Sequence, residues 1–316
     1  MEYLVSQAFY TWLINMKKTI ITIISAFVLF LAVIIIKNAY SYKIPNNDMG
    51  IQAVIALEDV DYLFLGSSSF RKGVNMSKLE KELDGSSFML TYNGNQPMNA
   101  MVELQDIIDA GTKIKTLVYE IEPGMIDRGA DLSDKRLLWD IDMDSKLEIW
   151  NYLKDREDAN FFMFYDYWVS SNMDYMITYP IAHKVISKRY YKGGNDGLDV
   201  SAAKTESELR ALPINEDPGI DKLQLDSIVN IIKICDDNKI DLIFLEPPKY
   251  ISMYEDGNFS SKHKEMVDLL ESNNVNYYLG DDLGFDNTKA EYYSDLSHMS
   301  EAGMEELTKD IINILK

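Results

Sequence analysis

The sequence predicts a three-layer α/β fold, in which a parallel β-sheet carries helices on both faces and one transmembrane helix precedes the sheet. Two observations support the sheet: apolar runs of strand length recur along the chain, and amphipathic stretches of helix length separate them. The third observation is an uncharged apolar segment near the N-terminus that is long enough to nearly cross a lipid bilayer.

Five apolar runs have the length and composition of β-strands. We predict strands at residues 60–66, 87–93, 116–123, 241–248 and 275–281. The helical periodicity of apolar residues predicts helices at residues 75–84, 97–111, 222–238, 260–274 and 300–316. In a parallel sheet of this kind, ligands bind beyond the carboxyl ends of the strands, so the turns that follow the strands should share one rim.

A segment at about residues 127–220, between the third and fourth predicted strands, is longer than a minimal α/β unit requires. Its centre, residues 160–192, is unusually aromatic, and the part that follows reads as an exposed loop. Aromatic residues at this spacing usually pack a helical cap. A lid, a partner surface or a membrane-facing patch are the other interpretations.

The composition indicates one large domain that does not bind nucleic acid. With 316 residues, 47% of them hydrophobic, the chain can bury a sizeable core. Its formal net charge of −20 does not suit a nucleic-acid backbone, because neutralising phosphates requires clustered Lys and Arg. The single cysteine, Cys235, lies on the apolar face of a predicted helix and is expected to be a buried structural thiol.

The N-terminal part predicts a single-pass anchor in the cell membrane. Residues 19–36 are uncharged, and at about 1.5 Å per residue they nearly span a hydrocarbon core of about 30 Å. Lys17 and Lys18 precede them, so the positive-inside rule places residues 1–18 in the cytoplasm. A cleavable signal peptide is the alternative, but the apolar run is longer than a usual h-region and no clear cleavage site follows.

The segments around this anchor complete the predicted organisation. Residues 37–57 form a linker, and residues 58–316 form the extracytoplasmic domain. Residues 1–15 are either a misassigned extension, since Met16 would make an ordinary start, or a short amphipathic piece at the membrane interface.

A serine-rich turn follows the first predicted strand, at Gly66, Ser67 and Ser68. A turn from strand to helix would expose one hydroxyl at the helix N-terminus, where free N–H groups also favour a developing oxyanion. Taken alone, such a cluster more often caps the helix, because serine is a good N-cap residue.

An aspartate and a histidine, Asp295 and His298, stand three residues apart just before the last helix. A serine hydroxyl is a weak nucleophile that needs a base within hydrogen-bond reach, and the base needs a carboxylate to orient it. Alone, the D-x-x-H spacing is an ordinary polar turn. Together with the serine turn and an Asn-Gly-Asn turn at residues 93–95, it predicts a nucleophilic site.

This order of motifs resembles the SGNH, or GDSL-type, hydrolase superfamily, which has a flavodoxin-like three-layer fold. In that family the nucleophilic serine follows the first strand, and Asp and His come together near the C-terminus. The resemblance implies that Ser68 is the nucleophile, that His298 is the general base and then the general acid, and that Asp295 orients it. Ser67 stands where the family has aspartate. We expect no cofactor and no metal.

The family's G-x-N-D block after the third strand is absent, because this place reads EIEPGMID. Oxyanion stabilisation is therefore expected from the Ser68 N–H and from the turn after the second strand. The Gly94 N–H and the Asn95 side chain are both candidates there.

Other ionisable residues lie at strand ends or in helices. Three carboxylates fall at strand ends near the rim: Glu120, Glu122 and Glu246. We expect them to be solvated, and binding of a cationic or hydroxylated substrate is the alternative. His183 and His263 lie in helical stretches away from the rim and are expected to be structural or surface residues.

The membrane segment and the G-S-S variant most resemble the DltD-like, membrane-anchored members of the superfamily, which assist acyl transfer onto cell-envelope polymers. We therefore expect a serine O-acyltransferase acting on envelope polysaccharide or teichoic acid through an acyl-serine, with a membrane-bound O-acyltransferase as a partner. One alternative is an extracytoplasmic carboxylesterase that deacylates envelope glycans. Another is a non-catalytic partner of a membrane O-acyltransferase.

Overall fold

The computed structural model describes residues 2–41, 50–127, 129–156, 158–170, 190–191, 194–195, 201–214 and 219–316. Its first element is a long helix, Glu2–Ser41. Within the described residues, Trp12–Ile36 is the one stretch long and apolar enough to span a membrane, and none of it is buried. The stretch begins before the predicted residue 19 because Trp12 and Ile14 continue the apolar surface beyond two lysines.

The core of the domain is a five-stranded parallel sheet. The five strands of this sheet are Asp59–Gly66 (β1), Ser87–Thr91 (β2), Lys113–Glu120 (β3), Asp241–Leu245 (β6) and Asn276–Tyr278 (β7). Two short strands lie outside it, Tyr190–Tyr191 (β4) and Gly194–Asn195 (β5). The sheet has the order β2-β1-β3-β6-β7, and β4 and β5 pair with each other, antiparallel, in a separate two-stranded sheet. Each strand of the sheet overlaps a predicted strand, and the predicted fold class is confirmed.

Alternate side chains of each strand face opposite helical layers. In β1, Leu63 and Leu65 belong to one buried apolar cluster and Phe64 belongs to another. The first cluster includes the helices Pro97–Asp109 and Lys222–Asn238, and the second includes helices on the other face, such as Glu301–Leu315. Because both faces of the sheet are covered, β1, β3 and β6 each contain an uninterrupted apolar run, at residues 62–65, 117–119 and 242–245.

Helix ends follow from local capping. The Asn75 side chain accepts a hydrogen bond from the Lys78 N–H at 3.1 Å, and the Ser300 Oγ accepts one from the Gly303 N–H at 3.3 Å. Other helices are Gly50–Ile55, Ser68–Gly73, Met76–Glu82, Leu137–Asp140, Met143–Leu153, Phe161–Tyr165, Glu206–Arg210, Ile251–Tyr254 and Gly257–Ser272. Short 3₁₀ turns lie at Pro123–Met125, Gly280–Leu283 and Ala290–Tyr292.

Part of the predicted insertion, within residues 143–170, packs as a helical cap. The helix Met143–Leu153 contacts the helix Pro97–Asp109. The Trp150 ring lies 5.3 Å from that of Tyr167 and 6.4 Å from that of Trp168, measured between centroids. His183 and much of the aromatic centre lie outside the described residues.

The single cysteine is buried, as the periodicity of its helix predicts. Cys235 has no exposed surface and belongs to the apolar cluster around the helix Lys222–Asn238. Burial raises the pKa of its thiol to about 12, so it stays protonated and unreactive at neutral pH. The expectation of a structural thiol is confirmed.

Candidate active site

The candidate site lies at the edge of the sheet where the carboxyl ends of β1, β2 and β3 meet. These strands are parallel neighbours, so the turns after Gly66, Thr91 and Glu120 share this edge. The helix Glu301–Leu315 packs against the helix Ser68–Gly73. This contact brings the turn before the last helix to the same edge.

In the serine turn, one serine caps the helix and the next serine contacts the histidine. Ser67 has an extended backbone, with φ −113° and ψ −161°, and its Oγ accepts a hydrogen bond from the Ser69 N–H at 3.2 Å. Ser67 is therefore the N-cap of the helix. Ser68 is the first helical residue, and its Oγ lies 2.9 Å from His298 Nε2. The hydroxyl that the cap does not use therefore contacts the histidine.

Asp295 fixes the orientation of His298 through its backbone and its ring. Asp295 Oδ1 accepts hydrogen bonds from the Ser297 N–H at 2.9 Å and the His298 N–H at 2.8 Å. Asp295 Oδ2 lies 2.8 Å from His298 Nδ1. A carboxylate can only accept at this contact, which favours the tautomer with its proton on Nδ1. Nε2 is then an acceptor for the Ser68 hydroxyl.

The same contacts keep Asp295 ionised. Partial burial disfavours its charged form, but hydrogen bonds from the His298 side chain and from two backbone N–H groups outweigh burial and hold its pKa well below the usual range. A fixed negative charge therefore lies beside the imidazole. It would stabilise the imidazolium that forms when Nε2 takes a proton.

Two backbone N–H groups at the rim, those of Ser68 and Gly94, have no hydrogen-bond partner among the described residues. Gly94 has φ +57°, a conformation that glycine adopts without strain. The Asn95 side chain is instead buried, and its Nδ2 donates to Glu103 Oε1 at 2.9 Å. The Asn95 amide is thus already paired, and the Gly94 N–H stays a candidate oxyanion donor.

The strand-end carboxylates are not solvated, so this expectation is wrong. Glu120 and Glu246 have no exposed surface, and Glu122 is mostly buried. Buried carboxylates need hydrogen-bond donors, and no local pattern in the sequence indicates where these donors lie. Glu246 Oε2 lies 2.9 Å from His263 Nε2, and Glu122 pairs with Lys249.

Glu120 accepts three hydrogen bonds from the serine turn. Its Oε2 accepts from the Ser67 N–H at 2.7 Å and the Phe70 N–H at 3.1 Å, and its Oε1 accepts from the Ser67 hydroxyl at 2.6 Å. Burial, reinforced by the charge of Glu122, raises the pKa of Glu120. Gly66 is a glycine because Glu120 packs against it: an added Cβ would lie 2.4 Å from Glu120 Oε2.

Lys249, which sequence reasoning missed, connects Glu122 to the same turn. Its Nζ pairs with Glu122 Oε2 and lies 3.3 Å from Ser69 Oγ, and that hydroxyl donates to Glu122 Oε2 at 3.3 Å. Burial alone would raise the pKa of Glu122 and lower that of Lys249. The attraction between the two charges outweighs the effect of burial on both groups, so the pKa of Glu122 is lowered and that of Lys249 is raised.

A cavity of about 70 Å³ lies beside the serine turn, with Ser67, Gly94, Glu122 and Ser133 in its walls. Among the described residues, no group of three or more His, Cys, Asp or Glu side chains is arranged to hold a metal ion. At this edge a serine hydroxyl, an imidazole and a carboxylate are joined in one hydrogen-bonded chain.

Three solved bacterial structures are similar to this chain at low identity. A protein provisionally described as a platelet activating factor from Streptococcus pneumonia is 13% identical, with a TM-score of 0.42 over 92% of this chain and 99% of that chain. A protein provisionally described as an acylhydrolase from Bacteroides fragilis is 11% identical, with a TM-score of 0.37 over 81% and 87%. A GDSL-like lipase from Bacteroides thetaiotaomicron is 9% identical, with a TM-score of 0.38 over 83% and 91%.

No protein-family model matches the chain, and no curated protein does either. Identities and TM-scores this low do not transfer an activity. The function has to be inferred from the site itself.

Proposed function

We propose that this protein is a serine esterase-type enzyme that works through an acyl-serine intermediate. The observation that carries the proposal is the hydrogen-bonded chain from Ser68 Oγ to His298 Nε2, at 2.9 Å, and from His298 Nδ1 to Asp295 Oδ2, at 2.8 Å. This is the arrangement of nucleophile, base and orienting group that activates a serine hydroxyl. The resemblance of the motif order to the SGNH superfamily gives the same roles to the same residues.

The first half-reaction acylates the serine. The Ser68 oxygen attacks the ester carbonyl carbon while His298 Nε2 takes the hydroxyl proton. Negative charge moves to the carbonyl oxygen, where the N–H groups of Ser68 and Gly94 are the donors we assign to it. The bond to the leaving alcohol then breaks, and His298 gives its proton to that alcohol.

The second half-reaction transfers the acyl group to a hydroxyl. Water, or a sugar or polyol hydroxyl, gives its proton to His298 Nε2 and attacks the carbonyl carbon of the acyl-serine. Collapse of this second intermediate breaks the bond to Ser68 Oγ, and His298 returns the proton to Ser68. Hydrolysis and transfer thus use the same residues and differ only in which hydroxyl is bound.

Of these two outcomes we propose transfer: a membrane-anchored O-acyltransferase that acts on cell-envelope polymers. The apolar stretch Trp12–Ile36 supports an anchor that would hold the enzyme where such polymers pass. The exposed Phe161 and Phe162 side chains support an apolar contact for a membrane-bound O-acyltransferase. The net charge of −20 favours a neutral polysaccharide acceptor over an anionic teichoic acid at long range.

The alternatives to transfer are a deacylating esterase and a non-catalytic partner. A carboxylesterase that deacylates envelope glycans uses the same three residues, with water as the acceptor. A non-catalytic partner of a membrane O-acyltransferase is favoured by the absence of an asparagine after β3. A non-catalytic partner, however, would not need the hydrogen-bonded chain through Ser68, His298 and Asp295.

Polymer acylation in cells separates these functions. Strains should carry the wild type, Ser68→Ala, or a deletion of residues 160–192, and the acyl content of the isolated envelope polymer should be measured. Transfer predicts reduced acylation in both variants, because one lacks the nucleophile and the other lacks the predicted cover or docking segment. Increased acylation in Ser68→Ala would identify an esterase, and wild-type acylation in Ser68→Ala would support the non-catalytic partner.

A further inference from the structure

We propose that Glu120, Glu122 and Lys249 form a buried clamp that positions the nucleophile turn, residues 67–70, for reaction. The inference rests on the proposed role of Ser68 as the nucleophile. The three residues are positioning residues, since the contacts that define them are to the turn and to one another.

Glu120 holds the turn from both sides of Ser68. One of its oxygens accepts the N–H groups of Ser67 and Phe70, and its other oxygen accepts the Ser67 hydroxyl. The two backbone contacts flank Ser68 along the chain. They therefore fix the direction of its N–H and of its Cα–Cβ bond, which set the positions of the oxyanion donor and the nucleophile.

The ion pair of Glu122 and Lys249 holds the remaining residue of the turn. Ser69 Oγ lies 3.3 Å from both Glu122 Oε2 and Lys249 Nζ, and Lys249 is only 2% exposed. The clamp as a whole thus contacts Ser67, Ser69 and Phe70. Ser68 is the one residue of the turn whose side chain contacts His298.

This arrangement is more than the helix needs to form. The Ser67 hydroxyl already caps the helix, so the first turn is stable without a glutamate. Two buried carboxylates and one ammonium group bring a desolvation cost that apolar residues of similar volume would avoid. Geometric accuracy at a reacting atom is a benefit that can offset such a cost.

Two substitutions at Glu120 distinguish the effect of its hydrogen bonds on the turn from the effect of its charge. Glu120→Gln keeps an oxygen that can accept both backbone N–H groups. Its amide nitrogen can donate to the Ser67 hydroxyl, which then accepts at this contact instead of donating. Glu120→Ala leaves all three donors unpaired in a buried site. Rescue by glutamine is therefore the signature of a positioning role.

Lys262→Met is a matched control in the same domain. Lys262 Nζ lies 2.6 Å from Asp127 Oδ2, and this ion pair is as buried as that of Lys249. Lys262 belongs to the helix Gly257–Ser272 and Asp127 follows the 3₁₀ turn Pro123–Met125, so the pair lies outside the nucleophile turn and the clamp. Its loss should lower the melting temperature without changing kcat.

The experiment measures kcat, KM and melting temperature of the full-length protein in detergent, with p-nitrophenyl acetate as substrate. We expect Glu120→Ala to lower kcat about 100-fold with KM nearly unchanged, since misplacing a reacting group by about 1 Å has an effect of this size. Glu120→Gln should stay within about tenfold of the wild type on the same reasoning. Wild-type kcat in Glu120→Ala, a Gln variant as inactive as the Ala variant, or an equal kcat loss in Lys262→Met would each overturn the proposal.

If Glu120→Ala does not fold, Ser69→Ala carries the test. It removes the hydroxyl that the ion pair holds, so kcat should fall about tenfold at an unchanged melting temperature, and wild-type kcat would overturn the clamp. Ser68→Ala is assayed alongside every variant. Turnover by Ser68→Ala at the wild-type rate would refute the proposed function, and the clamp with it, whereas an inactive Ser68→Ala leaves the Glu120 variants to decide the clamp alone.

Discussion

Replacing Gly66 with alanine should disable the site by forcing Glu120 out of the nucleophile turn. The added Cβ would lie 2.4 Å from Glu120 Oε2 and 2.5 Å from Glu120 Cβ. Non-bonded atoms of these kinds normally stay about 3.5 Å apart, so the overlap is about 1 Å. Rotating the Glu120 side chain cannot relieve the overlap with its Cβ, because that atom is bonded directly to the backbone of β3.

The expected loss of stability is the sum of an overpacking cost and the cost of leaving buried N–H groups unpaired. Overpacking of a buried site costs about 1–3 kcal/mol. Displacing Glu120 also leaves the N–H groups of Ser67 and Phe70 unpaired, at about 1–3 kcal/mol each. The free energy of unfolding should therefore fall by at least about 3 kcal/mol. For a domain of this size, such a loss lowers the melting temperature by about 6–12 °C.

The assay compares Gly66→Ala with Gly257→Ala by thermal unfolding and by kcat on p-nitrophenyl acetate. Gly257 begins the helix Gly257–Ser272, and a Cβ added there meets nothing within 4 Å. Alanine is also the better helix former, so this control should be at least as stable as the wild type. A Gly66→Ala variant that matches the control in both melting temperature and kcat would refute the packing of Glu120 against Gly66.

Three further predictions concern the base, a buried carboxyl group and the anchor. Asp295→Asn should keep more kcat on p-nitrophenyl acetate than Ser68→Ala or His298→Ala, because it removes neither nucleophile nor base; equal losses would contradict this. Burial raises the pKa of Asp140 from 3.8 to about 7, so the folded state holds a proton that the unfolded chain has lost, and stability falls as pH rises through this window. Asp140→Asn, which keeps an acceptor for the Tyr92 hydroxyl at 3.0 Å, should therefore raise the melting temperature at pH 8 but not at pH 4, and an equal rise at both would contradict the shift. Finally, the protein should stay in the membrane fraction after a high-salt wash, and protease added to intact cells should reach the domain; a shortened soluble protein in the medium would instead show a signal peptide.

Local patterns were sufficient to predict the sheet. The strands β1, β3 and β6 contain uninterrupted apolar runs at residues 62–65, 117–119 and 242–245, because both faces of the sheet are covered there. Such runs are visible without any long-range information. Ser68, Asp295 and His298 could be chosen because each stands in a short motif at a predictable place. The structure puts them within hydrogen-bond distance, and their catalytic roles stay a prediction.

Contacts between distant segments could not be predicted in this way. Glu120 looked like an exposed strand end because its three donors lie about fifty residues earlier in the chain. Lys249 follows a proline pair and has no periodicity that would mark it as buried, yet it lies against Ser69. The Asn95 side chain looked available until its contact with Glu103 was visible. In each case the deciding partner comes from another element of the fold.

Labelling with a serine-directed fluorophosphonate tests the central claim most directly, because the reagent reports on an activated serine without requiring the natural substrate. The full-length wild type in detergent should take up one label, and peptide mass spectrometry should locate it on Ser68. His298→Ala should label far more slowly, since the hydroxyl loses the base 2.9 Å away, and Ser68→Ala should not label at all. Equal labelling of Ser68→Ala and the wild type, or a label located on another residue, would contradict the account.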